Sequence, residues 1–453
     1  MKGTYNLTQD PISPTLTKLA VPIIATNFIQ TTYGMVDMIW VGRLGSGPVA
    51  AIGTASFFVN LAGALFTLVS IGSGIKVAQS VGANQEDHTR QYIRNGFFMA
   101  IILAIVYSIF ILLFKNKLIG FFDLSDAAVE RMAVQFLVIS VIGVIFTFFN
   151  MLYSMVLNSM GDSRTPFRIN TIGFVINLIL DPFLIFGIGG IEGLGVLGAA
   201  LATMIANLSV TLLFYYSSKG QFALLHNGTK INRSKMAEVI KMGLPITVQR
   251  VTFTIISIII AKIIVQWGAD AIAVQKVGIQ IESISYMTIG GLQGAIAAFI
   301  GQNYGAKKLD RINSGYRTAL WMTILFGIGT SLLFILFPKQ LFSIFITEKD
   351  SLELGADYMR IIGFSQVFMC MEILTVGAFN GIGKTYIPPI FSITFTALRI
   401  PMAIFLSGPF GLNGVWLSIA LSSLLKGIVL VIWFFITLKT LDKAKGMSTL
   451  KGA

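Results

Sequence analysis

The sequence is poor in the groups that hold transition metals or close disulfides. It has one cysteine, Cys370, and two histidines, His88 and His226, in 453 residues. One cysteine excludes an internal disulfide framework, and these three residues are too few for a His/Cys metal site. Charge is scarce as well. Asp, Glu, Lys and Arg make up 12% of the chain, about half of what a soluble domain carries. No Gly-x-x-x-x-Gly-Lys-Ser/Thr loop is present, so the sequence offers no evident ATP-driven engine.

What the chain has instead is apolar length. Hydrophobic residues are 55% of the total. A membrane-crossing helix needs about 20 apolar residues. Runs of that length fall near 16–40, 50–75, 93–114, 132–157, 167–188, 195–217, 240–266, 275–300, 316–337, 357–380, 387–407 and 412–438. The first run follows a polar stretch, is a full span long and carries Asp37, so it reads as a retained helix rather than a cleaved signal. The net charge of +13 reads as topology, not nucleic-acid affinity. With both termini placed in the cytoplasm, Lys and Arg favour the cytoplasmic loops about threefold, as the positive-inside rule requires.

The chain also repeats itself, about 223 residues apart. Leu19-Ala20-Val21-Pro22 returns as Met242-Gly243-Leu244-Pro245, and Gly45 falls on Gly268. Gln79 to Ala83 with Asp87 returns as Gln302 to Ala306 with Asp310. Leu157 to Gly161 with Pro166 returns as Phe379 to Gly383 with Pro388. Two tandem membrane units are the usual trace of a secondary transporter. The expected fold is therefore an all-α integral membrane protein of twelve helices in two pseudo-symmetric six-helix lobes. The lobes are expected at 1–217 and 240–453, joined by a basic cytoplasmic linker at 218–239 and ending in a short cytoplasmic tail. Residues 115–131 and 338–356 are expected as matching external loops. Pro22 and Pro245 are expected inside the first turns of the paired helices, where each removes a hydrogen bond and kinks its helix.

An ionisable side chain inside a span is costly and marks function by default. Asp37 is the first such residue; helical spacing puts Gln30, Tyr33, Gly34 and Asp37 on one face. Asp181 is the second, four residues after Asn177 and just before Pro182, whose missing amide frees a nearby carbonyl. Span six adds Thr203, with Asn207 four residues on. Two carboxylates, an amide oxygen and a loose carbonyl suit a proton or a hard cation such as Na+. The second copy does not repeat this chemistry: Asp37 answers to Ile260, Asn177 to Arg399 and Asp181 to Ala403. That half carries Arg250, Lys262, Lys276, Glu282, Glu372, Arg399 and Lys426 instead. Some of these are expected to pair, and Lys276 with Glu282 is expected to lie near a helix end. Glu372 reads equally as a substrate contact or as the partner of Arg399 or Lys426. The candidate substrate lining is Tyr33, Gly34, Met35, Met38, Asn150, Tyr153, Asn207, Tyr286, Glu372 and Arg399, with methionine and aromatic side chains giving adaptable contacts for flat cations.

The pattern resembles the multidrug and toxic compound extrusion (MATE) family over nearly the whole chain. The resemblance is carried by Pro22, by Val36 to Gly42 with Leu44 and Gly45, by the paired Gln79/Gly82 and Gln302/Gly305 loops, by Gly161 to Pro166, and by Asn177 to Pro182. With Thr203, the aspartate in span one and the Asn-x-x-x-Asp pair resemble the first-lobe cation site of the prokaryotic DinF-like branch. The resemblance implies a multidrug efflux antiporter in the cell membrane, exporting organic, mostly cationic or amphipathic compounds against H+ or Na+, with no enzymatic activity. Drug-like small molecules and the bilayer are the expected partners, and the chain is expected to act as a monomer without a cofactor. The sequence departs from the NorM-like branch, which adds an acidic residue in span seven; Lys262 stands there instead. The proton is thus the first choice of coupling ion, with Na+ competing at Asp37, Asn177, Asp181 and Thr203. The alternative is a flippase for lipids or polyprenyl-linked sugars in the same wider superfamily, favoured by Arg250, Lys262 and Arg399. The Ser80 to Asp87 loop does not match the major-facilitator signature, and neither aspartate sits in an intramembrane-protease motif.

Overall fold

Backbone amides in hydrocarbon have to be satisfied within their own segment, and the chain answers with helices. The computed structural model describes residues 5–124, 126–188, 191–218, 231–346 and 348–450. In order, the helices are α1 (Ile12–Gly42), α2 (Ser46–Gly82), α3 (Glu86–Gly120), α4 (Ala127–Ser159), α5 (Arg164–Phe186), α6 (Val196–Ser217), α7 (Arg233–Ile264), α8 (Ala269–Gly305), α9 (Leu309–Leu336), α10 (Pro338–Ser343), α11 (Lys349–Gly363), α12 (Gln366–Gly381), α13 (Ile387–Ala397) and α14 (Arg399–Leu450). A small antiparallel ribbon between α5 and α6 pairs Gly187 with Glu192 and Ile188 with Ile191. Among the described residues, 10 stretches are long and apolar enough to cross a membrane. The pair α11 and α12, bent by 52°, makes a further one. The last stretch, Ile387–Lys443, is broken at Gly411 (φ 56°, ψ −139°) and supplies two. All the spans expected from the sequence are therefore present.

Three local expectations need correction. Pro22 and Pro245 are not in first turns: α1 already begins at Ile12 and α7 at Arg233, so both prolines are well inside their helices. The apolar run starts later than the helix because the first turns are polar. The linker expected at 218–239 ends earlier for the same reason. Asn232 caps α7, its side-chain oxygen accepting from the Ser234 amide at 2.9 Å, and its residues 219–230 lie outside the described residues. The external loops are also shorter than expected. The charged ends of α3 and α11 stay helical, and Asp126 caps α4 by accepting from the Ala128 amide at 2.7 Å.

The repeat is clearer in the backbone than in the letters. Residues with positive φ recur in pairs: Gly45 and Gly268, Asn84 and Lys307, Gly161 and Gly383, Gly195 and Gly411. The last pair opens the sixth span of each copy and is closer in sequence than the others, because the first copy carries the ribbon before it. Three residues on, a Cβ on Gly198 would meet the Leu184 carbonyl at 2.2 Å, and one on Gly414 the Leu406 carbonyl at 2.1 Å. The same close approach of two helices is thus built twice, as glycine permits where membrane helices pack tightly.

The chain divides into two units, and each takes the start of the other repeat's first helix. The first unit holds Ala25–Gly243; the second holds Asn6–Ile24 with Leu244 onward. This differs from lobes ending at 217 and starting at 240. In the first unit the start of α7 is tied down by Glu238, which accepts from Lys76 at 2.6 Å and Tyr92 at 2.8 Å. Gly72 lies against the Val239 carbonyl, and Gly243 against that of Leu68. In the second unit, the segment before α1 is held by its backbone. Asn303 donates to the Leu7 carbonyl at 3.0 Å, Lys308 to that of Thr8 at 2.9 Å and Arg311 to that of Asp10 at 2.6 Å. The boundaries at Ile24/Ala25 and Gly243/Leu244 fall within three residues of Pro22 and Pro245.

Each unit has its own core. In the first, α2, α3, α4 and α6 close around Phe66 stacked on Phe148 at 4.3 Å and Tyr153 stacked on Phe214 at 5.3 Å. In the second, Tyr358 of α11 meets Trp416 of α14 edge-on at 5.2 Å, among apolar side chains of α7, α8 and α10.

Candidate functional site

Polar side chains meet in the first unit where α1, α5 and α6 come together. Packing fixes α1 there: Tyr33 lies 6.1 Å from Phe174, and Trp40 lies 6.2 Å from Phe186, ring to ring. Asn177 and Asp181 are both fully buried, one helical turn apart on α5. Asn177 Nδ2 donates to Asp181 Oδ1 at 3.2 Å. Thr203 Oγ1 donates to Asp37 Oδ2 at a long 3.5 Å and to its own helix at the Ala199 carbonyl at 3.0 Å. Asp181 and Asn177 face Asp37 directly, and Tyr33 faces both carboxylates. The structure therefore brings together the four residues singled out for cation or proton binding.

Several polar atoms of the group are left unpaired. Asp37 Oδ1, Asp181 Oδ2, Asn177 Oδ1 and the Tyr33 hydroxyl are buried with no hydrogen-bond partner. Burying a polar atom unpaired is expensive, and burying two like charges side by side more so. A proton shared by the carboxylates, or a small hard cation among the oxygens, removes that cost. The oxygen-only set fits a proton or Na+ rather than a transition metal. Among the described residues, no cluster of three His, Cys, Asp or Glu side chains is present.

The other candidates fall into three groups. Gly34, Met35 and Met38 lie on the exposed side of α1 next to Asp37; a Cβ on Gly34 would meet nothing within 4 Å. Asn150 and Asn207 form a polar ladder between α4 and α6. Asn150 Nδ2 donates to the Asn207 carbonyl at 2.9 Å, Thr211 Oγ1 donates to Asn150 Oδ1 at 2.8 Å, and Asn207 Nδ2 donates to the Thr203 carbonyl at 3.0 Å. The ladder thus runs up to the residue that contacts Asp37. Tyr153 is 3% exposed and stacked in the core.

The second unit holds the rest. Glu372, buried on α12, pairs with buried Lys426 of α14 at 2.9 Å and accepts from Ser392 at 3.1 Å. This settles the open choice of partner in favour of Lys426 over Arg399. Glu372 stands at the same repeat offset from Asn150 as Gly383 does from Gly161, so an ion pair replaces a neutral tie at the matching place. Glu282 does not pair with Lys276. It is buried in the middle of α8, accepts from the Tyr358 hydroxyl and lies beside Gln366, while Lys276 is exposed. Arg399 donates from Nε to Ser422 and from Nη2 to Ser423 at 3.2 Å. Tyr286, 46% exposed on α8, lies within electrostatic reach of Arg399.

Sequence reasoning missed the serines that hold Arg399, because single serines are common where membrane helices pack. It also missed Glu238 with Lys76 and Tyr92. The signal there was a lone acid, Glu238, within the basic start of α7.

The MatE family model matches residues 22–183 and 245–405, one match per repeat. A probable multidrug resistance protein NorM of Thermotoga maritima is 26% identical over 426 residues, covering 92% of this chain and 91% of that protein. An FAD transporter of Shewanella oneidensis is 24% identical over 443 residues, covering 94% and 95%. Among solved structures, a crystal structure of a MATE in the bent conformation superposes with a TM-score of 0.89 at 21% identity, covering 97% of this chain and 98% of that one. At that identity the likeness shows the fold.

Proposed function

The chain belongs to the MatE family, and on that premise we propose that it is a secondary multidrug exporter of the cell membrane, exchanging organic cationic or amphipathic compounds for protons, with Na+ competing for the same site. The observation that carries this reading is the half-buried Asp37 against the buried Asp181 in one unit, each with a carboxylate oxygen left unpartnered.

In the proposed cycle, the more acidic outside supplies a proton to the pair. A shared proton lets α1 and α5 pack closely, because the carboxylates then hold a hydrogen bond rather than two like charges. Loss of the proton to the cytoplasm leaves both charged, and α1 is pushed from α5. Since α1 begins in the second unit and continues into the first beside Pro22, a change at Asp37 acts on a helix that both units hold. Alternating access follows if the outward and inward states differ in which of these arrangements they stabilise. Thr203 orients Asp37, and Asn177 orients Asp181. Met35, Met38 and the open surface at Gly34 provide adaptable apolar contact for the substrate.

Transport in proteoliposomes with pH and sodium gradients imposed separately tests this. The expected result is substrate movement driven by the pH gradient and slowed by added Na+. If neither gradient drives transport, the antiporter reading is wrong.

A further inference from the structure

The second unit rebuilds the scaffold of the coupling site with the opposite charge. Arg399 stands at the same repeat offset from Asn177 as Gly383 does from Gly161, and Ala403 stands where Asp181 does. Asp37 has its counterpart in the buried Ile260. The sixth-span contact is also rebuilt: Ser423 is as far past Gly411 as Asn207 is past Gly195, and it holds the guanidinium. The first unit therefore presents acceptors at this place and the second presents donors.

The donors are only partly used. Arg399 Nε and Nη2 each reach a serine, both neutral acceptors, and no hydrogen bond from Nη1 is found among the described residues. No carboxylate lies within ion-pair distance of it there either. The two carboxylates whose charge reaches it are hydrogen-bonded elsewhere, Glu372 by Lys426 and Ser392, and Glu282 by Tyr358. Arg399 is half-buried rather than sealed, and the exposed Tyr286 lies near it. A guanidinium in the middle of an apolar span is expensive unless it is used. Its free edge offers parallel N–H donors in the geometry that grips a carboxylate with two bonds.

We propose that Arg399 anchors an anionic group of the substrate, so that the second unit selects amphipathic compounds carrying a carboxylate. The inference rests on the efflux reading above and names the substrate class of that transporter. Ser422 and Ser423 act as positioning residues: by holding Nε and one edge of Nη2 they fix the plane of the guanidinium.

The test uses a fluorescent quinolone carrying a piperazine and a carboxylate, together with its methyl ester, which keeps the cation and removes the anion. Both are measured with wild-type protein, Arg399→Gln and Arg399→Lys in proteoliposomes, with tetraphenylphosphonium as a plain cation. Wild type is expected to favour the acid over the ester by about tenfold in apparent affinity, the yield of a lost charge-assisted contact. Arg399→Gln is expected to erase that preference while changing the ester by less than about threefold. Arg399→Lys, which keeps charge but loses the fork, is expected to lower the preference and serves alone if the glutamine variant does not fold. Equal loss for acid and ester, or a preference that survives both substitutions, overturns the proposal. If wild type moves none of the three compounds, the efflux reading fails and takes this inference with it. Transport of tetraphenylphosphonium without any acid preference overturns only the inference.

Discussion

Asp37 on α1 and Asp181 on α5 face each other, each with one carboxylate oxygen buried and unpartnered. Thr203 and Asn177 satisfy the other two oxygens. In the proposed cycle, a pair so placed holds a proton or a cation in one state and repels itself in the other.

Removing one acid of the pair removes that alternation. Asp181→Asn is expected to keep the fold, because Asn177 still finds an acceptor there, and to cut gradient-driven transport at least about tenfold. Proteoliposome flux at fixed substrate reads this out, with thermal stability in detergent as the folding control. Asn177→Ala is expected to be milder, since it removes one orienting hydrogen bond, worth about 1 kcal/mol.

The ion pair of Glu372 and Lys426 makes a second prediction. Glu372→Gln leaves a buried ammonium uncompensated and should cost about 3–5 kcal/mol of stability. Adding Lys426→Met to that variant should restore most of it. Melting temperatures of the single and double variants decide this, and a double variant no more stable than Glu372→Gln contradicts a direct pair.

A third prediction follows from Gly198 and Gly414. A Cβ at either position meets a main-chain carbonyl closer than any normal contact. Gly198→Ala and Gly414→Ala should therefore each destabilise the protein, by about 1–3 kcal/mol for overpacking, and to a similar degree. An effect at only one of the two, measured as loss of folded protein on heating, contradicts the equivalence of the two sixth-span contacts.

A fourth concerns the tie on α7. Glu238→Gln loses the Lys76 ion pair but keeps an acceptor for Tyr92. With side chains 18% and 39% exposed, the pair is worth no more than about 1 kcal/mol and is screened by salt. The stability difference between wild type and the variant should shrink between low and high salt; a constant difference points to packing instead.

The spans, the repeat and the cluster of Asp37, Asn177, Asp181 and Thr203 were legible in the sequence. Apolar length and misplaced carboxylates are strong signals, because hydrocarbon tolerates few alternatives. The helix starts were not, since the polar first turns of α1 and α7 leave no hydropathy trace. Nor was the exchange of those starts between the units, which depends on contacts such as Arg311 with the Asp10 carbonyl. Pairing in the second unit was half legible. Glu372 and Lys426 stood out as charges, but a list of charges does not say which ones touch. Glu282 was expected near a helix end but lies well inside α8, and its partner Tyr358 comes from another helix.

The most direct test is substrate flux through Asp37→Asn under an imposed pH gradient, beside wild type in the same liposomes. The account predicts that wild type concentrates substrate against its gradient and that Asp37→Asn, folded and inserted, lets it only equilibrate. Full proton-driven accumulation by Asp37→Asn would contradict the assignment of Asp37 and Asp181 as the site that couples the ion to transport.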